Sequence, residues 1–268
     1  MRTITTWSDL LRPGDAPSFF DRNPLPPFEP NASGYSVTNA WWMAELCRLI
    51  YRHDLEEDAS PLAPHRSAFL SKAGLRQRVF FNAPETGTQG FLVESVQAPL
   101  FAALVFRGSE QEVKDVIADF KAIREPLGNQ GASVHEGFQE ALDSVWDKFV
   151  TPELDKVKVP IFYTGHSLGA ALAVLATARR KPNAAYTFGS PLVGNEAFAD
   201  SIKNVPIYRI VDGSDVVTTL PPEVLGYQHA GELHRIDGVH KSSLIPFVRP
   251  PKRLADHAPI NYVERIEQ

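Results

Sequence analysis

Cysteine is almost absent from this 268-residue sequence, which contains only Cys47. One cysteine cannot form a disulfide within the chain, and disulfide-free chains are commoner in reducing compartments. The first residues also lack the apolar run of a secretory signal peptide. The sequence therefore predicts a protein that is cytoplasmic or is exported without a recognisable signal peptide.

Positive charge and long apolar runs are also scarce. Lysine and arginine total 27 against 32 aspartates and glutamates, giving a formal net charge of −5. This balance does not provide the basic surface that nucleic acids require, so we expect no nucleic-acid partner. We also expect no transmembrane segment, because no apolar run is long enough to span a bilayer.

Proline is concentrated near the start of the chain, with six prolines between residues 13 and 30. Such a composition favours an extended segment that lies over the surface rather than an independently folded unit. We therefore predict an N-terminal extension over residues 1–34, followed by a single domain over residues 35–268. A chain of this length can bury a complete core.

The most informative stretch contains the pattern Gly165-x-Ser167-x-Gly169. The apolar residues 161–163 before it are typical of a buried strand, and the Ala- and Leu-rich residues 168–179 after it favour a helix. A serine between two glycines at a strand-to-helix turn is a nucleophile elbow, whose strained backbone lifts the hydroxyl clear of the sheet. The alternative is an ordinary loop with a helix-capping serine.

Strands and helices alternate through the second half of the chain. After the elbow, strands are predicted over residues 185–188, 207–211 and 233–236, and a mostly helical segment over residues 193–205. Alternation of this kind is typical of an α/β fold with a mostly parallel central sheet and helices on both faces. In the first half, the pattern predicts a helix over residues 36–53. It also predicts a β-hairpin formed by residues 90–96 and 100–106.

A nucleophilic serine needs a histidine base that is oriented by a carboxylate. In chains with a nucleophile elbow, the acid and then the histidine follow the serine. Asp212 and Asp215 both follow the strand predicted over residues 207–211, and either could be the acid. Spacing slightly favours Asp215. Of the downstream histidines, His257 lies in a loop before a last predicted helix, and His240 is its main competitor. The full set of downstream histidines is His229, His234, His240 and His257.

Two further features lie beside the predicted hairpin. The strand over residues 100–106 ends at Gly108-Ser109, where a backbone N–H can bind an oxyanion, although the pattern alone favours a plain turn. Residues 110–123 carry an apolar stripe among charged residues, which indicates an amphipathic helix. Such a helix either covers a site as a lid or packs on the core, and amphipathicity does not distinguish the two.

Several separate segments, in order, resemble the class 3 (fungal-type) lipases, which have the α/β-hydrolase fold. The resemblance covers roughly residues 35–266, and the segments together are specific. The segments that carry it are 106–109, Asp119, 134–138, 164–170, 187–195, 209–222 and 256–262.

The resemblance implies roles for individual residues. It matches Ser167 to the nucleophile, Asp215 to the acid and His257 to the base of a catalytic triad. It also implies that the backbone N–H groups of Ser109 and Leu168 form the oxyanion hole.

The resemblance further places a lid from Glu110 to residue 118. The apolar face of this lid would carry Val113, Val116 and Ile117, and Asp119 would be the acid on its hinge side. The neighbouring His166 is expected to pack or hydrogen-bond behind the site, because adjacent residues of an elbow point apart.

These inferences predict a serine carboxylic-ester hydrolase, most specifically a triacylglycerol lipase with general esterase activity. The expected partners are a lipid or small ester substrate and, transiently, a lipid interface; no metal or organic cofactor is implied. The enzymatic alternatives are a phospholipase A1, a feruloyl-type carboxylesterase and an acyltransferase, since one fold supports all of them. The non-enzymatic alternative is a lipid- or acyl-binding protein on a hydrolase scaffold.

Overall fold

A computed structural model describes residues 5–108, 122–128, 131–237 and 249–266. The strands within these residues are β1 (Leu75–Ala83), β2 (Thr88–Ser95), β3 (Ala102–Phe106), β4 (Arg124–Pro126), β5 (Ser133–His135), β6 (Ile161–His166), β7 (Ala184–Phe188), β8 (Ile207–Asp212) and β9 (Glu232–Ile236).

The helices of the same residues are mostly short, and a π-helical turn continues the fourth of them. In the described ranges they are α1 (Trp7–Leu11), α2 (Val37–Leu49), α3 (Arg66–Lys72), α4 (Glu136–Val145), α5 (Thr151–Leu154), α6 (Leu168–Arg179), α7 (Glu196–Ser201), α8 (Lys252–Ala255) and α9 (Pro259–Arg265). None of these helices combines the length and the apolar character needed to cross a membrane.

Seven of the described strands form one sheet, in the order β1-β2-β3-β6-β7-β8-β9. The first three strands pair antiparallel, and β3, β6, β7, β8 and β9 pair parallel. The mostly parallel sheet and the predicted hairpin are therefore confirmed. Because the parallel strands share one direction, the turns that follow β3, β6, β7 and β8 meet at the same edge of the sheet.

Helices cover both faces of the sheet. One face packs against α2, α9 and part of the N-terminal segment, and the other packs against α4, α6 and α7. Helix α2 is buried along most of its length, and both of its tryptophans, Trp41 and Trp42, lie in the core. Its N-terminus is capped by the side chain of Ser36, which accepts a hydrogen bond from the backbone N–H of Asn39.

Most residues of the proline-rich segment are exposed or half-exposed, but three of its phenylalanines anchor it in the core. Phe28 stacks on Phe101 with ring centroids 3.7 Å apart, and Phe19 and Phe20 are equally buried. Proline restricts regular backbone pairing but does not prevent neighbouring apolar side chains from leaving water. Side chains of α2 form hydrogen bonds with backbone groups of this irregular segment. For example, Glu45 accepts a hydrogen bond from the Phe20 N–H at 3.0 Å.

The helical prediction over residues 193–205 is too long, since the helix found there is only α7. Gly194 instead forms β-bridges with Val134 and Gln228, which hold the backbone extended before the helix. The side chain of Asn195 then caps the helix N-terminus. Tertiary pairing has overridden a helix-compatible composition here.

Helix α1 packs on the C-terminal part of the domain. Its Leu10 lies in an apolar cluster with Leu254, Ala258 and Ile260. Its first turn is closed by a capping box between Thr6 and Asp9. Helix α1 is therefore docked on α8, α9 and the residues between them.

We expect the substitution Leu10→Asp to release α1, because a carboxylate cannot be buried in that cluster without a partner. The substitution should lower the free energy of unfolding by about 2 kcal/mol, which corresponds to a fall in Tm of about 5 °C for a chain of this size. Thermal unfolding monitored by circular dichroism measures it. The exposed neighbour Ser8 provides the control, since Ser8→Asp should leave Tm unchanged. Equal Tm values for the two variants would show that α1 is not docked.

Candidate active site

Ser167 occupies a strained turn between β6 and α6. Its φ of 58° and ψ of −127° lie in a region that side chains other than glycine rarely adopt. The turn is held by a hydrogen bond from the Ser167 N–H to the carbonyl oxygen of Phe188 at 3.0 Å, at the end of the neighbouring strand β7. This geometry is that of the predicted nucleophile elbow, rather than of an ordinary capping loop.

The two glycines of the elbow are required by close backbone approach. A Cβ atom at Gly165 would lie 2.1 Å from the carbonyl oxygen of Gly169. A Cβ atom at Gly169 would lie 2.2 Å from the carbonyl oxygen of Phe106, at the end of β3. Neither contact is physically tolerable, because in both cases the opposing atom is backbone. Any side chain at these positions would push β6, α6 and β3 apart.

Asp215 lies in the turn that follows β8, at the same edge of the sheet as Ser167. Its carboxylate is buried and is held from several sides. One oxygen, Oδ1, accepts a hydrogen bond from the Val217 N–H at 2.9 Å. The other, Oδ2, contacts Nδ1 of His257 at 2.8 Å and accepts a hydrogen bond from the Tyr262 hydroxyl at 2.6 Å. The orientation of this carboxylate is therefore fixed.

His257 lies in the turn between α8 and α9, and its ring is almost completely buried. Because Asp215 can only accept at Oδ2 when ionised, Nδ1 of His257 carries the proton of their 2.8 Å contact. This leaves Nε2 with its lone pair available. Among the described residues, Nε2 has no hydrogen-bond partner. The histidine is thus held in the tautomer that a general base requires.

Tyr262 is a residue of the site to which sequence reasoning assigned no role. It lies on α9, five residues after His257, and its hydroxyl donates to the same oxygen of Asp215 as does the histidine. The pKa of Tyr262 is raised well above 10, first by burial and then by the charge of Asp215. The phenol therefore keeps its proton and acts as a hydrogen-bond donor.

The turn after β7 leaves room for this contact because it contains glycine. Gly189 has a φ of 59°, and a Cβ atom there would lie 2.7 Å from Oδ2 of Asp215. The same atom would lie 2.9 Å from Nδ1 of His257. A side chain at this position would therefore separate the acid from the histidine.

His166 packs behind the site, as predicted. Its Nε2 lies 2.8 Å from the carbonyl oxygen of His257, to which it must donate. Burial, together with the nearby His257, holds the pKa of His166 well below 6.5, so the ring is neutral. The residue next to the elbow serine thereby holds the backbone of the residue that would serve as its base.

The competing candidates have other partners. Asp212 is buried in an ion pair with Arg265, and His229 hydrogen-bonds through Nε2 to the carbonyl oxygen of Thr218. His234 stacks on Tyr35, with ring centroids 3.7 Å apart, at the edge strand β9. His240 lies outside the described residues. Of the downstream pairs considered, the structure brings together Asp215 and His257.

Only part of the predicted oxyanion hole lies within the described residues. Leu168 is the first residue of α6, where backbone N–H groups have no acceptor within the helix. Ser109 lies outside the described residues, but Gly108 packs against the elbow: a Cβ atom there would lie 3.2 Å from Cβ of Ser167. The chain therefore leaves β3 directly beside the serine.

The predicted lid residues Glu110, Val113, Val116 and Ile117 lie outside the described residues, as does Asp119. In the part of the chain that is described, no group of three His, Cys, Asp or Glu side chains is arranged to hold a metal ion. The chemistry available at this edge of the sheet is that of a serine hydroxyl, a neutral imidazole and a buried carboxylate. That combination supports nucleophilic acyl transfer.

Comparisons with known proteins agree with this geometry. Residues 103–225 match the family model described as lipase (class 3). A secreted mono- and diacylglycerol lipase of Fusarium solani is 39% identical over 118 residues, which cover 40% of this chain and 35% of the relative. A lipase of Rhizomucor miehei is 36% identical over 146 residues, covering 48% of this chain and 40% of the relative. The matches thus span less than half of the length of these curated relatives.

Solved structures extend the likeness beyond the matched segment. A triacylglycerol lipase whose catalytic centre is described as a serine protease triad superposes with a TM-score of 0.57 at 28% sequence identity. The superposition covers 62% of this chain and 68% of that one. The predicted α/β-hydrolase fold is therefore confirmed.

The neutral state of His166 predicts how stability depends on pH. Because its folded pKa lies well below 6.5, the unfolded chain binds a proton in acid that the folded chain does not, so stability falls below pH 6.5. Between pH 7.5 and 5.5 this group should cost the native state about 1.4 kcal/mol.

Denaturant unfolding of the wild type and of His166→Gln at the two pH values measures this contribution. Glutamine can still donate to the His257 carbonyl but does not titrate. The variant should therefore lose about 1.4 kcal/mol less than the wild type over this interval. Parallel losses in the two proteins would show that His166 is protonated in the folded state.

Proposed function

Because this chain belongs to the class 3 (fungal-type) lipase family, we propose that it is a serine carboxylic-ester hydrolase. More specifically, we propose a triacylglycerol lipase with general esterase activity. Two observations on one site carry the proposal: the buried 2.8 Å contact between Asp215 and His257, and the strained elbow backbone of Ser167. A binding protein on the same scaffold would need neither a strained serine nor an imidazole oriented by a buried carboxylate.

The proposed reaction proceeds through an acyl-enzyme. Nε2 of His257 takes the proton of the Ser167 hydroxyl as the oxygen attacks the ester carbonyl. The carboxylate of Asp215 stabilises the imidazolium that forms. The protonated histidine then gives its proton to the departing alcohol. In the second half-reaction His257 activates a water molecule, which releases the fatty acid and restores the serine.

The tetrahedral intermediates carry a negative oxygen that needs hydrogen-bond donors. We propose that one donor is the N–H of Leu168, at the N-terminus of α6, and that the other is the N–H of Ser109. The helix dipole adds to this stabilisation, because its positive end points at the serine. A missing donor in such a site costs about 3 kcal/mol of barrier.

Transient contact with a lipid interface is part of the proposal. The segment that follows Asp215 exposes Val224 by 89% and Leu225 by 47%. Ile123, which is 51% exposed, belongs to a neighbouring segment, since the next residue, Arg124, donates to the carbonyl oxygen of Gly226 at 2.8 Å. We place the lipid-facing surface at these three apolar side chains.

The substitution Ser167→Ala should abolish ester hydrolysis, because it removes the nucleophile. Hydrolysis of p-nitrophenyl esters of increasing acyl length should show kcat lower by roughly 10⁴- to 10⁶-fold. His257→Ala should lose a similar amount, and the double variant little more, since the residues act as a unit. A fluorophosphonate should label wild-type Ser167. Activity that persists in Ser167→Ala would exclude the proposed mechanism, and an optimum at short acyl chains would favour an esterase.

The substitution Val224→Asp should lower activity at an interface only. Insertion of one valine into lipid contributes about 1.5 kcal/mol, which corresponds to about tenfold in partitioning. Hydrolysis of emulsified trioleoylglycerol at limiting interface should therefore fall about tenfold, whereas soluble p-nitrophenyl butyrate should be hydrolysed at the wild-type rate. The control is Val96→Asp, because Val96 is also exposed but precedes β3, at the opposite edge of the sheet. Equal effects of the two substitutions would contradict this placement of the surface.

A further inference from the structure

The residues that precede the proposed acid and the proposed base are bonded to each other. Asp256, next to His257, accepts hydrogen bonds at Oδ2 from both the N–H and the hydroxyl of Ser214, next to Asp215. The two distances are 2.9 and 3.0 Å, and the residues are 42 positions apart in the sequence. One carboxylate therefore joins the turn that follows β8 to the turn between α8 and α9.

The same carboxylate has a second anchor on its other oxygen. Oδ1 of Asp256 lies 3.2 Å from Nη1 of Arg265, and this guanidinium also pairs with Asp212 at the end of β8. Both aspartates are completely buried, and Arg265 is almost so. Lys252 completes the set, with its Nζ 3.0 Å from Oδ2. Buried charges hold their geometry when each has its partners, and removal of one partner is costly.

The turn that follows β8, which contains Asp215, also leaves space for the carboxylate of Asp256. Gly213 has a φ of 44°, and a Cβ atom there would lie 2.7 Å from Oδ2 of Asp256. The turn thus lacks a side chain at the point where the carboxylate enters it. This fit would be unnecessary if Asp256 served only to cap its own helix.

We propose that Asp256 is a positioning residue of the catalytic triad. By bonding to Ser214 and Arg265, it fixes the turn of His257 against the turn of Asp215, and so maintains the 2.8 Å contact between the two. The inference rests on the proposed ester hydrolysis. It adds to that proposal a residue that touches neither substrate nor the reacting atoms but sets the distance between acid and base.

The first test is Asp256→Asn, which keeps the shape of the side chain but removes its charge. We expect kcat for soluble p-nitrophenyl butyrate to fall by about 10- to 100-fold, because small displacements of catalytic groups have effects of this size. KM should stay within about twofold of the wild type, since substrate contacts are unchanged. A charge-matched control is Asp155→Asn, which breaks an exposed pair with Arg180 and should leave kcat unaltered.

A double-mutant cycle separates positioning from general weakening of the fold. In an Asp215→Ala background there is no acid left to align, so Asp256→Asn should lower the residual kcat by less than about twofold. Equal losses of kcat in the two backgrounds would overturn the inference. If Asp256→Asn fails to fold, Ser214→Ala takes its place in the cycle. It removes one of the two Ser214 hydrogen bonds and should lower kcat about three- to tenfold, again only when Asp215 is present.

The outcome is distinguishable from failure of the proposed function. An inactive wild type whose Ser167 does not react with a fluorophosphonate would refute the hydrolase proposal itself. A wild type that is active and labelled at Ser167, combined with additive effects of Asp256 and Asp215, would refute only the role of Asp256.

Discussion

The close approach of three backbone segments at the elbow is the constraint on which the rest of the site depends. The carbonyl oxygens of Phe106 and Gly169 lie where side chains at residues 169 and 165 would begin, so β3, β6 and α6 meet at van der Waals limits. This contact forces Ser167 into its strained backbone conformation. Strain of that kind persists only where surrounding packing determines it fully. Packing around the sheet therefore determines the position of the Ser167 hydroxyl.

Electrostatics then determine how the partners of the serine are held. The buried carboxylate of Asp215 is satisfied by a backbone N–H, an imidazole and a phenol, so it remains a hydrogen-bond acceptor in a dry environment. His166 is neutral for the opposite reason, because burial without an acid partner disfavours its charge. Two histidines whose rings lie 4.4 Å apart thus have different roles, which are set by what each ring nitrogen faces.

The sequence predicted those features that depend on neighbours along the chain. The elbow could be recognised because its strand, glycines and helix are contiguous, and Asp215 and His257 followed from chain order together with the family resemblance. The contact of Tyr262 and the proposed role of Asp256 were not predicted, since no motif along the chain marks their bonds to residues 47 and 42 positions away. The helix predicted over residues 193–205 was too long because Gly194 pairs with Val134 and Gln228, which are distant in sequence, and no local pattern reveals such pairing.

Two helices that are far apart in sequence, α1 and α9, converge on one small region. Helix α1 packs on Leu254 and Ala258, which flank His257, while α9 supplies Tyr262 to the acid and Arg265 to the carboxylate beside it. Val216, next to Asp215, packs against the same cluster. The parallel sheet alone orients only the residues that follow its strands, and His257 follows none of them. A histidine contributed from outside the sheet must be located by packing, and here α1 and α9 supply that packing.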